Sequence, residues 1–402
     1  MRTRRRIKRA LAVLGCALLA LLFIGVHARW ATLITFDTRR REGDLRCGDE
    51  QLARAAHEIL ARFHRIGQFS GSVLIGRAGR VVLCRGYGFA DREAGVANTP
   101  ETRLSIGSVT KQLTGFLVQE LVERRRLRLS DPAARHLPEL RGAAIGAVTV
   151  DQLLHMTSGL PAIIDSSSFV GVQLDRRRRS DREFLEQVSG YEPGFAPGSA
   201  FRYSNVGYTL LSIIIARVSG RPWDEQLRRV IFEPHGMEDS GVLDADARPA
   251  GIARGYLPVR SGGLAGSPAL LPLPRWNYSM IRGAGAVYSS ARDLYRWDRA
   301  LRALASSNPG LYRRYMKPGP HRFYASGWTV KRAELADGRR VTVCRHDGED
   351  PGYFAYFARL PELDATIILL SNSDYGAGNT DYQLPRQLLR LVLGQRYEIV
   401  SG

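Results

Sequence analysis

The chain has 402 residues, 44% apolar and 24% charged, enough to bury a large core and too balanced for a disordered polymer. Its 58 Lys and Arg against 39 Asp and Glu give a formal charge of +19. That excess does not describe a nucleic-acid surface: six cations crowd into Met1–Ala10, and Arg176–Arg179 is flanked by Asp175, Asp181 and Glu183 without interleaved aromatics. Attraction to anionic lipid headgroups or a wall polymer fits the distribution better.

Arg2, Arg4, Arg5, Arg6, Lys8 and Arg9 precede an unbroken apolar run from Ala10 to Val26, and Trp30 follows it. At 17 residues the run is short for a bilayer span and slightly long for a signal-peptide core. Residues 1–30 therefore read as a signal peptide or membrane anchor, with retention favoured over cleavage at Val26-His27-Ala28, and 31–48 as a connecting segment. In either case the body is exported to the periplasmic or extracellular face, and residues 10–26 contact the membrane if they are kept. Cys47, Cys84 and Cys344 lie beyond this run; three thiols form one disulfide at most, and their spacing suits no metal.

Asp49–Arg65 carries Leu52, Ala55, Ala56, Ile59, Leu60 and Phe63 on one side and reads as a helix. Gly71–Gly76 and Val81–Gly86 then form a hairpin turned at Gly79. A helix starts near Ser108 and ends at Arg124-Arg125-Arg126. The middle of the chain is mostly helical. Leu210–Val218 is a helical segment, Ser261–Pro274 an extended loop, and Ser290-Ala291-Arg292-Asp293 a capping box before Leu294–Leu304. Strands return at Tyr324–Val330, Arg340–Cys344, Tyr353–Phe357 and Ala365–Leu370, and a helix at Pro385–Leu393 closes the chain. This order predicts an α/β (α+β) fold, an antiparallel sheet built from both chain ends and flanked by helices, with an inserted helical part. The body is placed at 49–395, with its α/β part at 49–115 and 320–395 and its helical part at 116–319.

Only four lysines occur, Lys8, Lys111, Lys317 and Lys331, and Lys111 alone has a serine three residues before it. An arginine stays protonated in any enzyme, whereas a lysine amine loses its proton when buried or set beside other cations. At the start of a helix, Ser108 and Lys111 share a face, and the helix dipole favours a nucleophile that becomes negative as it attacks. The competing reading is an N-capping serine and a surface lysine. Tyr203-Ser204-Asn205 is the second candidate, a hydroxyl and an amide at the mouth of a helix. The third is His346-Asp347-Gly348, just after the strand ending at Cys344, where the glycine lets a substrate approach and the next N–H meets an oxyanion. Here the bland alternative is a solvent-facing turn.

In this order, Ser108-Val109-Thr110-Lys111, Tyr203-Ser204-Asn205 and His346-Asp347-Gly348 resemble the three active-site motifs of the serine beta-lactamase and penicillin-binding protein superfamily. A tyrosine in the second motif points to its class C branch, which also holds D-alanyl-D-alanine peptidases, D-aminopeptidases and esterases. Leu153–Leu160, Pro197-Gly198, Gly285–Leu294 and Pro351-Gly352-Tyr353 agree, and the resemblance spans Leu52 to Leu393.

The resemblance implies a serine hydrolase that forms an acyl-enzyme on Ser108, with Lys111 and Tyr203 managing the proton and Asn205 orienting the polar network. It implies an oxyanion hole from the backbone N–H groups of Ser108 and Glu349 beside Gly348, with His346 lining the cleft, and it requires no metal or cofactor. Where class C beta-lactamases carry Lys-Thr-Gly, this chain has His346-Asp347-Gly348. The negative charge of Asp347, with Glu349 beyond it, disfavours the carboxylate of beta-lactams and D-Ala-D-Ala peptides, unless Arg345 or Arg282 offsets it. The expected substrate is a small-molecule ester, an amide or a cell-wall peptide. Beta-lactam hydrolysis and an inert envelope scaffold are the alternatives.

Overall fold

The computed structural model describes residues 40–41, 49–162, 178–243, 251–259, 269–273, 277–321, 323–373, 383–395 and 399–400. The basic and apolar N-terminal run, Cys47 and Arg176-Arg177 lie outside the described residues. Among the described residues, no helix is long and apolar enough to cross a membrane.

Helix α1 (Asp49–Arg65) leads into the hairpin β1 (Gly71–Arg77) and β2 (Arg80–Tyr87). Strand β3 (Leu104–Ser105) precedes helix α2 (Thr110–Glu123). The middle contributes α3 (Asn205–Ser219), β4 (Gly241–Val242), β5 (Val287–Ser289) and α4 (Ala291–Ser307). The chain then returns through β6 (Thr329–Glu334), β7 (Arg340–Asp350), β8 (Tyr353–Leu360), β9 (Ala365–Ser371) and α5 (Gln383–Val392). Strands β6-β7-β8-β9-β1-β2 form one antiparallel sheet, in which β9 and β1, from opposite ends of the chain, pair through Ile367 and Ile75. A small sheet, β3-β5-β4, ties the insert to the segment before α2.

Both faces of the large sheet are covered, so its central strands read as continuous apolar runs. On β9, Ile368 and Leu370 join the core shared with the helical insert, while Ile367 and Leu369 join the core beneath α1 and α5. The six apolar positions of α1 are all buried, at ~1.5–3 kcal/mol for each large side chain. Acidic Asp49 and Glu50 open that helix and basic Arg62, His64 and Arg65 close it, complementing its dipole.

Helix α2 is buried on nearly every side and runs between sheet and insert, so its polar side chains need partners. Thr114 donates to the Gly283 carbonyl at 2.7 Å, Gln119 donates to the Ser326 hydroxyl at 3.1 Å, and Thr110 accepts from the Val287 N–H at 3.2 Å. These bonds clamp α2 to both halves of the fold.

Four local expectations change. Strand β7 continues past Cys344 to Asp350, so His346-Asp347-Gly348 lies in the sheet rather than in a turn after it. Tyr324 belongs to a loop, and β6 begins at Thr329, where pairing with Arg345 starts. Part of the expected loop at Ser261–Pro274 is a strand, Ala269–Pro272, paired with Tyr256–Val259, and residues 260–268 lie outside the described residues. Ser290 caps α4 by accepting from the Asp293 N–H, but Asp293 turns its carboxylate to Asp239 N–H and the Ser240 hydroxyl, so the box is half formed. Cys344 is buried in the core as a free thiol, and Cys84 is a half-buried one.

Helix α4 is held to β8 by a buried ion pair: Arg359 Nε donates to Asp298 Oδ1 at 2.9 Å, and its guanidinium also reaches Tyr312 Oη at 3.0 Å. Asp298→Ala leaves Arg359, 3% exposed, without its counter-charge. Urea unfolding is expected to record a loss of about 3–5 kcal/mol.

Candidate active site

The Ser108 turn is built between the two sheets. Ile106 N–H donates to the Val287 carbonyl at 3.0 Å, and a 3-10 turn over Gly107–Val109 then feeds directly into α2. Gly107 takes φ +47°, left-handed backbone that a side chain would strain. Gly348 of β7 lies against this turn, and a Cβ there would come within 2.0 Å of the Ile106 carbonyl oxygen and 2.9 Å of the Ser108 nitrogen. The missing side chain at Gly348 thus makes room for the backbone of the turn. The same approach brings Glu349 N to 2.8 Å from the position of a Cβ on Gly107, so the Ser108 and Glu349 backbones are neighbours.

Ser108 does not cap the helix, and Lys111 is not on the surface; the bland reading fails on both counts. Lys111 is 0% exposed, and its Nζ lies 3.0 Å from Ser108 Oγ, 2.8 Å from Asn205 Oδ1 and 2.8 Å from the Ala284 carbonyl. Two of those partners are acceptors only. In a neutral amine the two N–H bonds therefore go to Asn205 and Ala284, and the lone pair faces the one partner able to donate, the Ser108 hydroxyl. Burial pushes the Lys111 amine well below its ordinary range, against the opposing fields of Asp350 and Asp347.

Asn205 is the first residue of α3, whose cap is Ser204, accepting from Gly207 N–H at 3.1 Å. Tyr203, one residue earlier, sets its ring 4.7 Å from Lys111 Nζ and is hydrogen-bonded to Ser108. Desolvation pushes the Tyr203 phenol above its usual range, with the Ser108 hydrogen bond pulling the other way.

His346 faces the same cleft, its ring centroid 6.1 Å from that of Tyr203. Its Nδ1 lies 2.6 Å from the Asp347 carbonyl, which only accepts, so Nδ1 carries the proton and Nε2 accepts from the Tyr324 hydroxyl at 3.0 Å. Burial lowers this imidazole to about 4, which leaves it neutral near pH 7. Arg345 and Arg282 do not supply the missing cation. Arg345 stacks over Tyr356 at 5.8 Å, in the core beneath α1, and Arg282 pairs with Asp181 at 2.7 Å.

The structure thus gathers Ser108, Lys111, Tyr203, Asn205, His346, Gly348 and the Glu349 backbone around one point. Sequence reasoning missed Ala284, whose contribution is a carbonyl that no side-chain pattern announces, and Tyr324, which was read as the start of a strand. It also missed Asp350, concealed in an acidic, glycine-rich stretch resembling a turn.

An antiparallel sheet closed by both chain ends, a helical insert, and a serine–lysine pair at the head of the helix between them define the serine beta-lactamase and penicillin-binding protein superfamily. The chain belongs to the beta-lactamase family, whose sequence model matches residues 56–391. It is 28% identical over 325 residues to PbpX of Bacillus subtilis (strain 168), which carries the name of a penicillin-binding protein; the match covers 79% of this chain and 76% of that one. Protein flp of Staphylococcus aureus (strain NCTC 8325 / PS 47) is 27% identical over 345 residues, 82% of this chain and 64% of its own, so this chain spans under two thirds of its length. The octameric penicillin-binding protein homologue from Pyrococcus abyssi superposes with a TM-score of 0.68 at 26% identity, over 86% of this chain and 77% of that one.

Gly348→Ala tests the contact between β7 and the Ser108 turn. Because the added methyl meets backbone on the turn, thermal unfolding is expected to show a loss of about 1–3 kcal/mol.

Proposed function

We propose that the protein is a serine hydrolase that acylates Ser108 and releases the acyl group to water, acting on an ester or amide. The observation that carries this reading is the buried Lys111 amine, with its two acceptor-only partners and its third direction taken by the Ser108 hydroxyl. Lys111, held neutral by burial, takes the Ser108 proton as Oγ attacks the carbonyl carbon. Tyr203, a protonated phenol at rest, gives its proton to the leaving group and takes one back from the Lys111 ammonium, which restores both groups, so the opposite shifts of amine and phenol divide the work. Asn205 orients the amine, and the N–H groups of Ser108 and Glu349 receive the oxyanion. Water then attacks the acyl-enzyme with Tyr203 as its proton relay.

The substrate reading follows from charge. A neutral His346 stands where class C beta-lactamases hold a lysine, and the field of Asp347 reaches Lys111 and Tyr203. Both features disfavour a carboxylate beside the scissile bond, so a neutral or cationic ester or amide is the preferred substrate, ahead of D-Ala-D-Ala-type peptides and of beta-lactams. On the export reading of residues 1–30, this activity lies on the periplasmic or extracellular side.

Labelling with a fluorophosphonate probe is expected to modify the wild type at Ser108 and to be lost in Ser108→Ala. The labelling rate should rise with pH through a midpoint well below ~10.4, because only the neutral amine is competent. Lys111→Arg keeps the positive charge but supplies no base, and it should fall by at least about 100-fold. Labelling by Lys111→Arg at near the wild-type rate would refute the role given to the amine. In a hydrolysis screen, short neutral esters should exceed a cephalosporin and a D-Ala-D-Ala peptide in kcat/KM; the reverse order would overturn the substrate reading.

A further inference from the structure

Asp350 is the last residue of β7, on the face that carries His346 and Gly348, and it is 4% exposed. Its carboxylate accepts hydrogen bonds from the hydroxyls of Ser105, on β3, and Tyr278. Ser105 Oγ in turn accepts from the Gly107 N–H at 3.4 Å. Gly107 is the left-handed residue directly before Ser108. A continuous polar chain therefore runs from a buried carboxylate through Ser105 to the turn that presents the nucleophile. Asp350 Oδ1 also lies 3.9 Å from the position of a Cβ on Gly285, next to Ala284, whose carbonyl accepts from Lys111 Nζ, and the carboxylate opposes the effect of burial on that amine. A carboxylate buried this deeply is costly unless it is both hydrogen-bonded and matched by a cation.

We propose that Asp350 is a positioning residue of the acylating centre, fixing the Gly107–Ser108 turn through Ser105 and serving as the buried counter-charge to Lys111 whenever that amine is protonated. This rests on the reading of Ser108 as nucleophile and Lys111 as its base. The groups that face Asp350 are Ser105 from β3, Tyr278 from the segment before β5, Lys111 from α2 and Glu349 on its own strand. Those that face Lys111 are His346, Asp347 and Asp350 on its β7 side, and Tyr203, Asn205 and Tyr208 at the head of α3. Burial pushes the Asp350 carboxyl up to about 7, with Ser105, Lys111 and Tyr278 pulling the other way. It is therefore ionised above about pH 7, where its field on Lys111 acts.

The sign follows directly. An ionised Asp350 favours the protonated amine and so holds the acidic limb of acylation at higher pH. Asp350→Asn removes that field while keeping shape and hydrogen-bonding capacity, and the limb should move to lower pH by about 1 unit. Tyr278→Phe removes a donor that favours the anion, and should move the limb in the same direction by less. Ser105→Ala, which cuts the link to Gly107, should lower the plateau rate about tenfold, more than it moves the midpoint.

The experiment is the rate of fluorophosphonate labelling of Ser108 against pH, for the full chain and these three variants, with thermal melting to verify folding. Midpoints displaced downward in Asp350→Asn and Tyr278→Phe support the proposal, and Tyr278→Phe carries the test if Asp350→Asn does not fold. A rate that drops equally at all pH values, with the midpoint unchanged, would overturn the counter-charge, since a purely structural residue behaves that way. An unchanged Ser105→Ala profile would overturn the positioning chain. A wild type unlabelled at Ser108 would instead overturn the hydrolase reading, and this proposal with it.

Discussion

The centre of the molecule is organised around an amine removed from water. Lys111 is wholly buried, and a buried amine is tolerated only if its N–H bonds and its lone pair all find partners. The partners here come from three separate parts of the chain: Ser108 one helical turn before it, Asn205 at the head of α3, and Ala284 just before β5. Bringing them together requires α2 to be sandwiched between insert and sheet, and that arrangement is also the fold's main packing solution. Site and core are therefore the same construction at this point. A change that loosens the seating of α2 acts on both.

The second constraint is backbone proximity. The turn before α2 and the end of β7 meet with no side chain between them, because Gly107 supplies left-handed backbone and Gly348 leaves out a Cβ. A turn and a strand far apart in sequence thereby bring the backbones of Ser108 and Glu349 side by side. In the proposed mechanism side chains supply the base and the relay, and main chain supplies the oxyanion hole.

Much of this was legible in the sequence, for physical reasons that differ by element. Helix α1 displayed itself through apolar residues at a helical period, and β9 through an unbroken apolar run, since each has one dominant environment. Ser108 and Lys111 stood out because lysine is scarce here, and Tyr203-Ser204-Asn205, weak alone, gained weight from its place between two other motifs. Strand β7 was cut short at Cys344 because His346-Asp347-Gly348-Glu349-Asp350 is polar and ends at Pro351-Gly352, the composition of a turn. It is nevertheless a strand, since its alternate residues His346, Gly348 and Asp350 face a polar interior that a hydrophobic pattern does not register. Ala284 and Tyr324 escaped for related reasons: one acts through its carbonyl, and the other reaches His346 from a loop.

The pairing of β9 with β1 has a bearing on how the molecule matures. The Ser108 turn is translated early, but the strand that completes its surroundings comes from the last fifth of the chain, and the sheet joins early strands to late ones. Contacts of such sequence separation form late and slowly. Ser108 and Lys111 are thus neighbours long before His346, Gly348 and Asp350 have been made. The surroundings of Ser108 are complete only when the late strands have joined the early ones, so the topology ties the assembled site to a completed sheet.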